Sequence, residues 1–124
     1  MMYSIKKREN PLNRESDSKF YAAPEYGEEI DVQMLAKEIS KSCTLNQTDI
    51  VAVIESLLTT MPMFLMNSNR IRLNRFGIFK LSFSSSGHEH EEDVTSNDIK
   101  TVRVLFLPCA ELKRELEGIT YMKR

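Results

Sequence analysis

The spacing of apolar positions changes several times along the chain, and each change marks an element. Met2 to Glu9 is β-like around Tyr3 and Ile5 and runs into Asn10-Pro11. Asn13 to Ser18 is polar and turn-like before the run Phe20-Tyr21-Ala22-Ala23, so two short strands joined by a loop are predicted. Asp31 stands as an N-cap before Val32, Leu35, Ala36 and Ile39, whose i, i+3, i+4, i+7 spacing predicts a helix ending near Cys43. Asn46 caps a second, longer helix, with Asp49 placed to complement its dipole. Ile50, Val53, Ile54, Leu57, Leu58, Met61, Phe64 and Leu65 give that helix a stripe wide enough to face more than one element. Pro62 removes a donor and crowds the carbonyl of Leu58, which predicts a kink or a break in the last turn.

From Arg70 the period falls to two. Ile71 and Leu73 alternate with Arg70, Arg72 and Asn74, then Phe79, Leu81 and Phe83 alternate with Lys80 and Ser82. A hairpin turning at Asn74-Arg75 is predicted, with Gly77 marking a bulge or a close backbone approach. Residues 84 to 98 are polar and read as a mobile extension. The sheet resumes at Ile99, with Val102, Val104 and Phe106 on one face and Arg103 and Leu105 on the other, until Pro108 ends it. Leu112 and Leu116 then mark a short final helix closed by Gly118.

Composition narrows the classes. A length of 124 residues suits one domain. No apolar run reaches the roughly 18 residues of a membrane span, and the start of the chain has charge but no apolar leader, so a cytoplasmic protein is expected. Cys43 and Cys109 lack metal-type spacing and read as free, buried, inert thiols. The two histidines sit together in His88-Glu89-His90-Glu91-Glu92-Asp93, where nothing preorganises a metal site. No phosphate loop, catalytic carboxylate pair or nucleophile elbow occurs, so neither an enzyme, a cofactor, a metal nor a small-molecule substrate is expected. Net charge is -1, yet the charge is segregated. Residues 1 to 24 hold five Lys/Arg against three Asp/Glu, residues 70 to 80 hold Arg70, Arg72, Arg75 and Lys80 with no acid, and residues 88 to 98 hold five acids with no base.

The order helix, long helix, hairpin, polar segment, strand, short helix resembles that of the bacterial HU/IHF family of histone-like DNA-binding proteins. Thr44 to Asp49 is similar to the start of that family's second helix, and Ile71-Arg72-Leu73-Asn74-Arg75-Phe76-Gly77-Ile78-Phe79 resembles its V-x-L-x-x-F-G-x-F signature. Phe106-Leu107-Pro108 and the charged helix after it resemble the family's return strand and C-terminal helix. The Tyr3 to Pro11 segment and Tyr21-Ala22 resemble an HU-like branch with an extra N-terminal strand region. The resemblance implies an α+β fold. Two N-terminal helices, a three-stranded antiparallel sheet with a protruding arm and a short C-terminal helix would follow short N-terminal strands. Residues 1–30 would be a strand extension packing on the core and residues 31–124 the DNA-binding domain, as one structural unit.

What the resemblance implies for function is a non-catalytic, sequence-tolerant architectural homodimer in the nucleoid, holding double-stranded DNA through phosphate contacts. Arg70, Arg72, Arg75 and Lys80 would supply those contacts, with Lys100 and Arg103 beside them once the return strand pairs with the hairpin. Lys6-Lys7-Arg8 could extend the basic surface or simply aid solubility. Met61, Met63, Phe64 and Met66 read as core or dimer interface. The family's arms are rich in Arg and Lys and carry a wedge proline, whereas residues 80 to 107 here contain no proline and Lys80 to Lys100 has two bases against five acids, so sharp bending is not carried over. An alternative stays open: an HU-fold protein–protein interaction module that has lost DNA binding.

Overall fold

A computed structural model describes residues 1–9, 12 and 18–124. The loop expected across Asn10, Pro11 and Asn13 to Asp17 lies outside the described residues. The chain is mixed α and β and divides into two compact units, Met1–Ile30 with Leu116–Arg124 and, separately, Asp31–Glu115.

In the first unit, β1 (Met2–Arg8) pairs antiparallel with β2 (Lys19–Glu25) in unbroken register from Met2 opposite Glu25 to Arg8 opposite Lys19. The end of the chain adds a third strand that periodicity did not reveal, Met122–Lys123, parallel to the start of β1. The Met122 amide donates to the Met1 carbonyl at 3.0 Å and the Arg124 amide to the Tyr3 carbonyl at 2.9 Å. Two residues are too few for a sequence pattern, and the pairing rests on backbone groups that carry no side-chain signature.

The second unit opens with α1 (Val32–Ser40) and α2 (Gln47–Met66), packed on each other. Both expected caps form, the Asp31 side chain accepting from the Met34 amide at 2.9 Å and Asn46 from the Asp49 amide at 2.9 Å. Helix α1 stops three residues short of Cys43. Ser40 Oγ and Ser42 Oγ donate to the carbonyls of Lys37 and Ile39, and the Lys41 and Ser42 amides fold back as tight turns, which satisfies the last carbonyls early. Cys43 therefore lies in the loop and is exposed, and Cys109 is half-buried, so the expectation of buried thiols does not hold. Helix α2 continues through Pro62 without a break. The ring deletes one rung of a 20-residue ladder, and Asn67 secures the turn beyond it by donating from Nδ2 to the Met63 carbonyl and from its amide to Phe64.

Helix α2 also touches the sheet formed by β3 (Ile71–Leu73), β4 (Gly77–Ser85) and β5 (Ile99–Pro108), in the order β3-β4-β5, both pairings antiparallel. The Asn74-Arg75-Phe76 turn places Arg75 at φ 69°, a left-handed position that costs a non-glycine residue about 1 kcal/mol. Phe76, Phe79 and Phe106 form one aromatic cluster, with Phe106 5.1 Å from Phe76 and 4.8 Å from Phe79 between ring centroids. Gly77 is what lets that cluster close. A Cβ there would run into the Phe106 ring and come within 2.5 Å of the Leu107 carbonyl oxygen. Helix α3 (Ala110–Leu116) follows, its start tied to the turn by the Cys109 amide donating to the Phe76 carbonyl at 3.0 Å.

Only Ala36, Ile50 and Leu65 are buried apolar residues among those described. Much of the α2 stripe is open, with Val53 60% and Leu58 52% exposed. The outer strand is equally bare, with Val102 62% and Val104 63% exposed. By length and mean hydropathy α2 is also apolar enough to cross a bilayer, although no continuous apolar run in it approaches that length.

Gly77→Ala should lower stability by about 1–3 kcal/mol, because the Leu107 carbonyl is backbone and cannot move aside as a side chain tip can. Urea unfolding followed by circular dichroism measures this. An unchanged midpoint would mean that the close approach of β5 is not a constraint.

Candidate nucleic-acid interface

Opposed residues in an antiparallel ladder share a face. Arg72 stands opposite Ile78, Ile78 opposite Leu107, Lys80 opposite Leu105 and Ser82 opposite Arg103. One face of the sheet thus carries Arg72, Lys80 and Arg103, while Ile71, Leu73, Phe79, Leu81, Val104 and Phe106 occupy the other.

Lys100 reaches the basic face through an irregularity. It lies three residues from Arg103, and in a regular strand an odd spacing would put it on the opposite side. Between the pairs Ser82–Arg103 and Ser84–Lys100 the register shifts, so that Thr101 and Val102 stand against the single residue Phe83. Thr101 takes φ 40°, the left-handed conformation of a bulge residue. The extra residue turns Lys100 back beside Ser84, whose hydroxyl donates to the Lys100 carbonyl at 3.3 Å.

Arg70 precedes β3, and it lines a surface hollow of about 400 Å³ with Ser68, Asn69, Arg72 and Ile78. A second hollow, about 310 Å³, brings Arg70 together with Lys80, Leu81 and Val102. Arg75 lies elsewhere, at the turn by α3. The Glu111 carboxyl is held below its usual range first by its own backbone amide and the Cys109 thiol, with Arg114 and Arg75 adding to the effect. Five of the six expected cations are therefore gathered along the sheet, and the sixth faces a carboxylate at its end. None of the six makes a side-chain ion pair or hydrogen bond with a described residue, in contrast to Lys41 with Glu38 and Arg124 with Glu25. Guanidinium and ammonium groups left unpaired on one face have N–H donors free for an anionic oxygen acceptor.

Of residues 84 to 98, read from the sequence as a mobile extension, Ser84 and Ser85 are the last residues of β4, and the segment goes on to two 3-10 turns, Glu91–Asp93 and Ser96–Asp98. Asp98 organises them. Its Oδ1 pairs with His88 Nε2 at 2.8 Å, its Oδ2 accepts from the Thr95 amide at 2.8 Å, and its carbonyl accepts from the Ser86 amide at 2.9 Å. Thr95 Oγ1 accepts from the Asn97 amide in return, closing a capping box. The histidine is thereby engaged with a carboxylate, and among the described residues no three His, Cys, Asp or Glu side chains converge as metal ligands. Sequence pattern missed this because it lies in single hydrogen bonds across ten residues. The odd spacing of Lys100 and Arg103 was the one visible trace of the bulge.

Comparison with known proteins places this geometry. The family model HU-HIG, described as an HU domain fused to a wHTH, Ig or glycine-rich motif, matches residues 1–124. A solved structure from Bacteroides vulgatus ATCC 8482, provisionally named a bacterial DNA-binding protein, is similar over 98% of the chain at 11% identity and a TM-score of 0.65. The chain spans about half of that protein's length, 47%. Anabaena HU, in a cocrystal with DNA, is similar over 73% of this chain and 100% of its own at 13% identity and a TM-score of 0.56. At these identities the likeness is one of fold. No curated protein matches.

The Asp98 hydrogen bonds carry a pH dependence. His88 first, then the Thr95 amide, hold the Asp98 carboxyl below its ordinary value of 3.8. A depressed carboxylate contributes order that is complete above its ordinary value and is lost as pH falls through its lowered one. In 15N spectra the Thr95 amide should hold its position at neutral pH and move only below pH 3.8. Asp98→Ala should leave it shifted at every pH. A Thr95 titration midpoint at or above 3.8 would contradict the assignment.

Proposed function

The chain belongs to the HU-HIG family, and from that premise we propose that it is a non-catalytic architectural protein that binds double-stranded DNA as a homodimer, through phosphates and without reading bases. The observation that carries this reading is the shared face of Arg72, Lys80, Lys100 and Arg103, free of internal ion pairs and continued by Arg70. Arg75 is the marginal member, its charge already partly answered by Glu111. Phosphate binding by Arg and Lys releases condensed counterions, so affinity rests on how many cations line up and not on net charge. A total charge of -1 is compatible with this because the acids of residues 89–93 stand in a segment of their own.

Burial supports the homodimer. A helix with Val53, Leu58 and Phe64 open to water, beside a strand with Val102 and Val104 open, is the exposed half of a core. A second copy supplies the same apolar surface in the complementary place, and it accounts for the apolarity of α2 without a bilayer. The nucleoid of the cytoplasm is the compartment this function requires.

The acidic segment from Glu89 to Asp98 supports a second reading, an HU-fold protein-interaction module, since its five carboxylates near a duplex repel its phosphates. Titration of random-sequence duplex DNA separates the two. The dimer should bind at about 50 mM salt, with log affinity falling against log salt at ~0.9 per phosphate neutralised. Arg72→Glu with Arg103→Glu should weaken all sequences alike and flatten that slope by about the share of two phosphates, while Arg75→Glu alone changes it less. Absence of duplex binding by the folded wild type at that salt would hand the case to the interaction module. Sedimentation at micromolar concentration should give a dimer, and a compact folded monomer would remove the shared-core argument.

A further inference from the structure

The first unit has basic and aromatic side chains of its own. In the β1–β2 register Lys6 stands opposite Tyr21, Lys7 opposite Phe20 and Arg8 opposite Lys19. By alternation Lys6, Arg8, Lys19 and Tyr21 share one face, and Lys7 and Phe20 share the other. Both rings are accompanied by a cation, Lys7 Nζ 5.9 Å from the centre of Phe20 and the Arg8 guanidinium 5.6 Å from that of Tyr21. Neither ring is covered, Phe20 being 70% and Tyr21 46% exposed. Strand β2 is the edge of its sheet, so both faces meet at an open border. Residues 1–24 carry five cations against three acids in a chain whose net charge is -1.

We infer that this end of the β1–β2 hairpin is a second nucleic-acid site, one that takes unpaired strands, with Phe20 and Tyr21 as stacking surfaces and Lys6, Lys7, Arg8 and Lys19 as phosphate ligands. A solubilising charge cluster has no use for two neighbouring open rings, whereas a single strand uses both chemistries at once: any base presents a flat face to an aromatic ring while the adjacent phosphate meets a cation. In a duplex the base faces are already stacked on their neighbours, so the rings discriminate in favour of unpaired segments. The strand crosses the β2 edge, placing one base against each ring. This site is separate from the β3–β5 face proposed for duplex DNA, and either can fail alone.

Fluorescence anisotropy with the full chain, a labelled oligothymidine of about 15 nucleotides and a duplex of equal length tests it. Phe20→Leu with Tyr21→Leu keeps apolar bulk in the strand and removes only the aromatic faces. It should weaken oligothymidine binding by about tenfold or more and leave duplex affinity within about twofold. Lys6→Gln, Lys7→Gln and Arg8→Gln together should flatten the single-strand salt dependence by ~0.7 for each phosphate no longer neutralised. Arg72→Glu with Arg103→Glu should do the opposite, lowering duplex binding and sparing oligothymidine. Thermal unfolding checks that each variant is folded, and Phe20→Trp, which keeps a ring, should retain wild-type single-strand affinity. The proposal is overturned if the leucine variant binds oligothymidine as the wild type does, or loses duplex and single strand equally. It is also overturned if the wild type ignores oligothymidine and binds phosphatidylserine vesicles through the same residues.

Discussion

Pairing between β4 and β5 decides which side chains meet, and much of how the second unit's sheet presents its side chains is a consequence of it. Nine residues of one strand lie against ten of the other, and the surplus is absorbed at one bulge. On one side of the ladder the phenylalanines close on one another, and this is permitted only because residue 77 has no side chain. On the other side, this register sets Lys80 and Arg103 on one face, and the pairing of β3 with β4 adds Arg72 to it. Packing and charge presentation are thus two faces of a single hydrogen-bonded ladder, and neither can be changed without the other.

Much of this was legible in the sequence wherever the determinant is local. Asp31 and Asn46 cap helices because a short side chain can reach an amide three residues away, and that reach is visible as spacing. The alternation around Phe79 to Phe83 reports the faces of β4 for the same reason. Gly77 announced a close approach, although not what approaches. Illegible features were those in which one residue's meaning depends on a distant partner. The bulge at Thr101 appears only when β5 is laid against β4, and without it Lys100 reads on the wrong face. Asp98 looks like one acid among five until His88 and Thr95 are brought to it. At Pro62, where a kink or a break was expected, the break does not occur, because a long ladder tolerates one missing bond.

Charge is sorted by the fold more sharply than by the sequence. The chain's near-neutral total conceals a basic sheet face, a basic hairpin end and an acidic pair of turns, each on its own element. With a screening length of ~8 Å at physiological ionic strength, it is such local charge and not the chain's average that a neighbouring group meets.

The bulge gives β5 an unusual mutational grammar. Most of its side chains are exposed, and at positions outside the Phe106 cluster and the apolar face of Val102 and Val104 substitution costs little, typically within about 0.5 kcal/mol. Changes of length behave differently. Deleting Thr101 would restore regular alternation and carry Lys100 and everything back toward Asp98 to the opposite face, with no amino acid type altered. A homologue with one residue fewer at that point would keep nearly the same composition and charge, and would present a different surface.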